Sequence, residues 1–358
     1  MKNKNAKIYI AGHKGLVGSA LARKLEGDGY SNLVFRDSNQ LDLRRQTDVE
    51  KFFEEEKPEY VFLAAAKAGG IFANYNYKAE FIYDNVMIAT NVIHSAYKAG
   101  VKKLINLGSS CIYPRLAPQP LKEEYLLTAK LESTNEPYAV AKITAIKLCR
   151  YYCEQYKTNF ISVMPANLYG PGDKFDLEKA HVLPALMRKF HLAKLLFEGK
   201  YDKVCEDLKE YGNMPMLGEE QASNLTGRQI IDHLAKFGIT KDSVILWGTG
   251  DSSRELLYVD DLADACIFLM KQYDVNELGE LINIGTGVDL KIKEIADLIK
   301  DLVGFNGEIC YDNSKPDGTP RKLLEVSKLN SLGWRAKTNL EKGMIETYNY
   351  YVRRKGAS

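Results

Sequence analysis

Several things are scarce in this 358-residue chain, and each scarcity removes a class of function. No apolar run approaches the ~20 residues that a bilayer crossing requires. The lysine-rich start, Met1-Lys-Asn-Lys4, has no hydrophobic signal region behind it. Only six cysteines occur, at 111, 149, 153, 205, 266 and 310, and none forms a C-x-x-C pair. Cys149 and Cys153 share a helix face at i, i+4, but without a second ligand pair that is a poor metal signal. They read as reduced thiols of a cytoplasmic protein. Lys plus Arg (49) nearly balance Asp plus Glu (47), and the net charge of +2 gives no basic field for nucleic acid. The run Glu54-Glu55-Glu56 reads as a solvated helix face. No internal repeat or low-complexity linker is visible.

What is present is alternation. Residues 7–11, 32–36, 60–66, 103–107 and 160–165 read as short apolar strands. Helical patterns over 19–25, 79–99 and 137–157 lie among them. Tyr60–Ala66 is almost continuously apolar, as a parallel strand buried on both faces must be. Such alternation predicts an α/β fold, a Rossmann-type doubly wound parallel sheet. Beyond Asn167-Leu-Tyr-Gly-Pro171 the elements shorten. Strands are expected at 244–247 and 281–284. Helices are expected over 292–303 and from Tyr258-Val-Asp-Asp261 to Met270, the latter capped by its aspartates. A smaller interleaved α/β substrate domain accounts for this best. Residues 1–167 plus about 255–288 would form the Rossmann domain. Residues 168–254 and 289–358 would form the second domain, with an insertion at about 191–243.

The first strand runs into Gly12-His-Lys-Gly-Leu-Val-Gly18 and then a helix. Glycines at that spacing let backbone approach a pyrophosphate at the helix N-terminus, which points to a dinucleotide. The second strand ends in Arg36-Asp37. An acid there suits the ribose 2′-OH of NAD, and a cation suits the 2′-phosphate of NADP. Arg36 and Lys14 outnumber Asp37, so NADP is expected. Alternatively, Asp37 and Ser38 simply begin a turn.

Tyr138 and Lys142 lie four residues apart in Glu136-Pro-Tyr-Ala-Val-Ala-Lys142. Pro137 suits a helix first turn, and i, i+4 residues share a helix face. An ammonium beside the phenol would lower the Tyr138 pKa, so that it can protonate a carbonyl oxygen as hydride reaches carbon. Ser109 follows a buried strand, where its hydroxyl can meet the same carbonyl. Taken alone, Cys111 reads as a small buried hydrophobe and His181 as structural.

Longer stretches carry a resemblance. Besides the glycine turn, they are Ala64-Ala-Ala-Lys-Ala-Gly-Gly-Ile71, Gly108-Ser-Ser-Cys-Ile-Tyr-Pro114, Asn135–Lys142, Met164-Pro-Ala-Asn-Leu-Tyr-Gly-Pro171 and Ser314-Lys-Pro-Asp-Gly-Thr-Pro-Arg-Lys322. Together they resemble the extended short-chain dehydrogenase/reductases and, within them, the GDP-L-fucose synthase family. The match spans nearly the whole chain except 191–243.

The resemblance implies a bifunctional enzyme. It would epimerise GDP-4-keto-6-deoxy-D-mannose at C3 and C5, then reduce C4 with NADPH to give GDP-L-fucose. Ser109, Tyr138 and Lys142 would serve the reduction, with Cys111 as base and His181 as acid for the epimerisations. The implied NADP contacts are Gly12, His13, Lys14, Gly15, Leu16, Val17, Gly18, Arg36, Ser38, Asp42 and Leu43. They continue with Ala64, Ala65, Ala66, Leu107, Gly108, Ser109, Ser110, Lys142, Pro165, Ala166, Asn167, Leu168 and His181. Asn167, Lys189, Trp247, Arg254 and Asp317 would meet the GDP-sugar. A homodimer through helices near 79–99 and 137–157 is implied as well. Where many relatives carry a second arginine, this chain has Ser38. The long segment 191–243 reads by default as a neutral surface insertion, since surface loops lengthen at little thermodynamic cost. Other readings are a GDP-L-colitose synthase, a pure ketoreductase lacking roles for Cys111 and His181, and a dinucleotide sensor. A sensor would be expected to have lost Tyr138 or Lys142.

Overall fold

The computed structural model describes residues 1, 3–214, 226–315 and 317–353. Residues 215–225 of the long segment and Pro316 of the Ser314–Lys322 motif lie outside the described residues. The chain forms two compact units. The first is Met1–Gly172, Glu255–Val288 and Lys322–Asn339; the second is Asp173–Arg254, Asp289–Arg321 and Leu340–Ser358. Lys322–Asn339 therefore belongs to the first unit, whereas the sequence reading grouped all of 289–358 with the second.

In chain order the first unit contains β1 (Ile8–Ala11), α1 (Leu16–Gly27), β2 (Leu33–Val34), α2 (Gln46–Glu56), β3 (Tyr60–Leu63) and α3 (Ile71–Asn76). Then come α4 (Lys78–Lys98), β4 (Lys103–Leu107), α5 (Glu136–Tyr156), β5 (Phe160–Pro165) and β6 (Asn167–Tyr169). The second unit contributes α6 (Val182–Phe197), α7 (Tyr201–Tyr211), α8 (Gly227–Ala235) and β7 (Ser243–Trp247). β8 (Ser253–Tyr258) returns the chain to the first unit for α9 (Val259–Gln272), α10 (Val275–Leu278) and β9 (Ile282–Ile284). β10 (Asp289–Lys291), α11 (Ile292–Val303) and β11 (Glu308–Asp312) precede β12 (Arg321–Lys322), α12 (Ser327–Ser331) and α13 (Leu340–Arg353).

Six strands pair in the order β2-β1-β3-β4-β5-β9, all parallel. Side-chain alternation sends Ile8, Ile10, Phe62, Ile105 and Leu107 into one buried layer, and Tyr9, Ala11, Val61, Leu63 and Leu104 into the other. Both faces are buried, so these strands read as largely apolar runs, interrupted by buried Lys103, Asn106 and Ser162. Each fully buried aliphatic side chain contributes about 1.5–3 kcal/mol. The strand order reverses at β1, and in such sheets ligands bind beyond the carboxyl ends at that reversal. β3 stops at Leu63, so Ala64–Ala66 is connecting chain rather than strand. β2 covers two residues of the five expected, because Arg36 and Asp37 turn away to ion pairs.

One local expectation fails. Asp260 and Asp261 do not cap α9; its N-cap is Tyr258, and both acids sit in the first turn. There Asp261 instead accepts the amides of Lys337 (3.2 Å) and Thr338 (2.8 Å), tying down the chain after α12.

In the second unit β7 and β11 pair in parallel, Ser243↔Glu308 through Trp247↔Asp312. α6 buries Leu183, Leu186, Met187 and Phe190, while α11 buries Ile295, Ala296 and Ile299. The described part of 191–243 is not a neutral surface insertion. Val204, Asp207, Leu208, Ile230 and Leu234 are all fully buried, so this segment supplies part of the unit's core. Amphipathic helices at 201–211 and 227–235 require such a partner face.

Candidate active site

The turn after β1 is shaped for close backbone approach. Gly12 has φ +84°, and a Cβ there would meet the Ala65 backbone at 2.7 Å. A Cβ on Gly18 would lie 2.1 Å from the Gly12 carbonyl oxygen. Gly15 is the N-cap of α1 with no side-chain cap, so the first-turn amides and the positive end of the helix dipole face outward. This cradle fits a dinucleotide pyrophosphate. His13 rests on Phe35, with ring centroids 5.0 Å apart, and its buried Nδ1 has no hydrogen-bond partner.

At the end of β2, Lys14 Nζ lies 2.7 Å from Asp37 Oδ2. Asp37 Oδ1 accepts the amides of Asn39 (3.0 Å) and Gln40 (3.1 Å), so it both begins a turn and is neutralised. The Lys14 ammonium, first among these contacts, holds its carboxyl below the usual range. Arg36 pairs with Glu56 and lies over Phe52, its guanidinium 5.6 Å from the ring centroid. Asp42 is saturated by Arg44, which holds its carboxyl down at about 2. Leu43 is anchored through its carbonyl to Asn91 Nδ2 at 2.9 Å.

β4 ends at Leu107 and leads into the loop that carries Ser109 and Cys111. A Cβ on Gly108 would meet the Met164 side chain at 2.2 Å and the Val163 carbonyl oxygen at 3.0 Å, so the glycine leaves room for Met164. Ser109 N-caps a one-turn helix, Ser110–Ile112, and its Oγ accepts the Cys111 amide at 3.4 Å. Cys111 is 6% exposed. Burial pushes its thiol up, and the charges of Lys322 and Lys142 partly offset that. From α5, Lys142 Nζ donates to the Leu107 carbonyl at 2.7 Å and lies 5.7 Å from the centre of the Tyr138 ring. Ser109, Cys111, Tyr138 and Lys142 are thus brought to one place.

The expected pKa tuning is not met. Burial raises Tyr138 and lowers Lys142 to about 8, because the Lys142 ammonium is aimed at a carbonyl rather than at the phenol. Pro165 ends β5, the Ala166 amide bonds to Ile284 O at 2.9 Å, and Asn167 and Leu168 begin β6.

The second unit carries the other candidates. His181 is the N-cap of α6, and Lys189 lies two turns along it. Burial lowers the Lys189 amine to about 8. Trp247, the last residue of β7, is 70% exposed with Lys315 Nζ 5.6 Å from its ring. Asp317 accepts Thr249 N at 3.0 Å and Thr249 Oγ1 at 2.9 Å, so its carboxylate already has protein donors. Arg254 donates to the carbonyls of Ser253 (2.7 Å) and Thr319 (2.6 Å). Burial lowers its pKa, and the nearby Asp317 charge partly offsets this. Trp247 at the end of β7, Arg254 in β8 and Asp317 therefore share one neighbourhood, linked through Lys315, Thr249 and Thr319.

Sequence reasoning missed the residues that hold these groups. Buried Glu255 accepts the amides of Thr286 (2.6 Å), Gly287 (2.8 Å) and Leu324 (2.7 Å). Asn283 accepts Tyr113 Oη at 2.5 Å and donates to Leu121 O at 2.9 Å, anchoring the chain just after Cys111. Lys322 was part of a recognised motif but had no role; its charge acts on Cys111. Only long-range partners distinguish such residues from surface polar ones.

Sheet order, glycine cradle and the Ser–Tyr–Lys cluster define an extended short-chain dehydrogenase/reductase. The profile of the NAD dependent epimerase/dehydratase family matches residues 8–214 and 211–285. GDP-L-fucose synthase 1 of Arabidopsis thaliana is 51% identical over 353 residues, covering 99% of this chain and 95% of its own. A GDP-L-colitose synthase of Yersinia pseudotuberculosis is 33% identical, covering 98% and 99%. The crystal structure of a Campylobacter jejuni GDP-6-OMe-4-keto-L-xylo-heptose reductase superimposes with a TM-score of 0.91 at 44% identity, covering 98% and 99%. A C. jejuni GDP-mannoheptose C4 reductase with NADP bound gives 0.83 at 42%, covering 98% and 100%. The chain belongs to the NAD dependent epimerase/dehydratase family and, within it, to the GDP-L-fucose synthases.

Proposed function

We propose that this protein converts GDP-4-keto-6-deoxy-D-mannose to GDP-L-fucose, by epimerisation at C3 and C5 and NADPH-dependent reduction at C4. The observation that carries this reading is the sharing of one short loop by Ser109 and the buried Cys111, beside Lys142. A carbonyl-binding hydroxyl and a proton-accepting thiol are thereby offered to adjacent positions of one sugar. The relatedness to GDP-L-fucose synthases supports it.

NADPH, when bound, would supply the hydride for C4. The glycine cradle and α1 N-terminus would hold its pyrophosphate, and Lys14 and Arg36 would be the cations for its 2′-phosphate. Ser109 Oγ donates to the C4 oxygen. Cys111, as thiolate, takes a proton from the carbon beside the ketone, and the electron pair moves onto the C4 oxygen as an enolate. The family resemblance assigns His181 as the acid that returns a proton to that carbon. Tyr138 Oη then gives its proton to the C4 oxygen as that carbon is reduced. The raised Tyr138 pKa keeps this proton in place until it is needed. Lys189 and Arg254 serve as fixed cations for the diphosphate, Trp247 as a packing face, and Asn167 and Asp317 as hydroxyl partners.

The test is incubation with GDP-4-keto-6-deoxy-D-mannose and NADPH in D₂O, reading the product by NMR. GDP-L-fucose deuterated at C3 and C5 is the expected product. A reduced sugar without deuterium would make the protein a C4 reductase, the reading favoured by its likeness to the heptose C4 reductase. Turnover only of the 3-deoxy substrate would indicate a colitose synthase.

The protein acts as a homodimer in the cytoplasm on this reading. Support comes from its six free cysteines and from an aromatic strip of Tyr97, Tyr152 and Tyr156 on α4 and α5. Among the described residues, no helix is long and apolar enough to cross a membrane. Sedimentation of Tyr156→Glu should give monomer if the strip is the dimer seam.

A further inference from the structure

The segment that lengthens the second unit reaches back to the loop that carries His181. Asn213, just past α7, has φ +73°, a left-handed conformation that asparagine tolerates better than most residues. Its Oδ1 accepts two hydrogen bonds, from the Leu177 amide at 3.0 Å and from Arg188 Nη1 at 2.9 Å. Its own carbonyl lies 2.5 Å from His233 Nε2 on α8.

Arg188 is fully buried on α6, two turns from His181. It donates to the Phe175 carbonyl at 2.8 Å, to the Gly212 carbonyl at 2.8 Å and to Asp207 Oδ1 at 2.7 Å. Asp207 is fully buried too and also accepts from the Tyr351 hydroxyl. Within the loop, Asp176 Oδ1 accepts the amides of Glu178 and Lys179, both at 2.9 Å, and Ala180 N bonds to Asp176 O at 3.0 Å. Residues 175–180 are therefore tied to the rest of the unit through Phe175 and Leu177 and to one another through Asp176, and His181 follows as the first turn of α6 begins.

We infer that Asn213 is a positioning residue for His181: through Leu177 and Arg188, the long segment holds the 175–181 loop in the geometry that proton return requires. This rests on the epimerase reading for its catalytic half and on the hydrogen bonds alone for its structural half. A reacting group displaced by about 1 Å loses on the order of 10²-fold in rate, so even partial loosening is measurable.

The experiment compares wild type, Asn213→Ala and Asn213→Asp, the last keeping an acceptor oxygen toward both donors. Backbone amide exchange followed by mass spectrometry reports the loop. Deuterium entry at C3 and C5 of GDP-4-keto-6-deoxy-D-mannose, measured in D₂O with NADP⁺ so that no reduction intervenes, reports the chemistry. NADPH affinity is the folding control. In Asn213→Ala the 175–181 amides should exchange faster, and deuterium entry should slow by about tenfold or more. NADPH affinity should hold, and Asn213→Asp should restore both readouts. Unchanged amide exchange in Asn213→Ala would overturn the brace. Faster amide exchange with wild-type deuterium entry would overturn its link to catalysis. If wild type itself introduced no deuterium, the epimerase reading would fall and take the catalytic half with it, while amide exchange would still decide the brace.

Discussion

The two units hold their functional side chains by opposite means. In the first, Ser109, Cys111, Tyr138 and Lys142 stand at the end of an apolar parallel sheet and on a helix beside it. Their support is neutral: packed aliphatic side chains, backbone carbonyls and the Asn283 amide. In the second, α6 is held by a fully buried ion pair, Arg188–Asp207, ringed by Phe175, Tyr211 and Tyr351. The first frame is largely neutral, although the charges of Lys322 and Lys142 reach Cys111. An ionic one secures irregular loops, because a guanidinium can bind several carbonyls at once.

The sharpest break in this comparison is Tyr138→Phe. It should lower C4 reduction by about 10²–10⁴-fold and leave deuterium entry at C3 and C5 intact, as paired NMR assays would show. Equal loss of both would mean that the two chemistries share their proton donor.

Arg188→Met should come next. A buried carboxylate left without its cation costs about 3–5 kcal/mol, read as a lower urea midpoint. Arg188→Met combined with Asp207→Leu should recover much of that loss. If the single variant were as stable as wild type, the ionic frame would be dispensable.

Glu255→Gln tests a charged support in the first unit, the carboxylate that accepts the Thr286, Gly287 and Leu324 amides. Losing charge-assisted acceptance toward three amides should cost about 1–3 kcal/mol by the same urea assay.

The pH profiles should separate the two half-reactions. Burial raises the Cys111 thiol, so the thiolate fraction grows with pH, and deuterium entry should rise about tenfold per unit below that pKa. Lys142 sits at about 8, so its ammonium is lost above that pH, and reduction should fall there. Parallel profiles would mean that one group limits both.

The smallest effect is expected from Lys14→Ala. Its pair with Asp37 is exposed, so NADPH affinity should weaken by about fivefold or less. The freed Asp37 should shift preference toward NADH, as fluorescence titration of both cofactors would show.

The sequence by itself determined the doubly wound sheet, the glycine turn and the Tyr138–Lys142 pair. Each of these is local: apolar runs of strand length, glycines at fixed spacing, and two side chains one helical turn apart. It also marked Ser109 at the end of a buried strand, whereas Cys111 stood out only through the resemblance of the Gly108–Pro114 stretch to a known family. Tertiary structure alone decided the rest. Whether Lys142 faces the phenol or the Leu107 carbonyl depends on what buries both, and burial reversed the expected pKa of Tyr138. Asp261 looked like a helix cap until the chain near Thr338 claimed it. The segment beyond residue 191 looked like surface because its lysines and glutamates dominate its composition. Asp207 is one more acid in that run, and only the fold brings it to Arg188 and Tyr351, away from water. Hydrogen bonds between residues far apart in the chain leave no periodic trace in sequence, and here they support most of the candidate site.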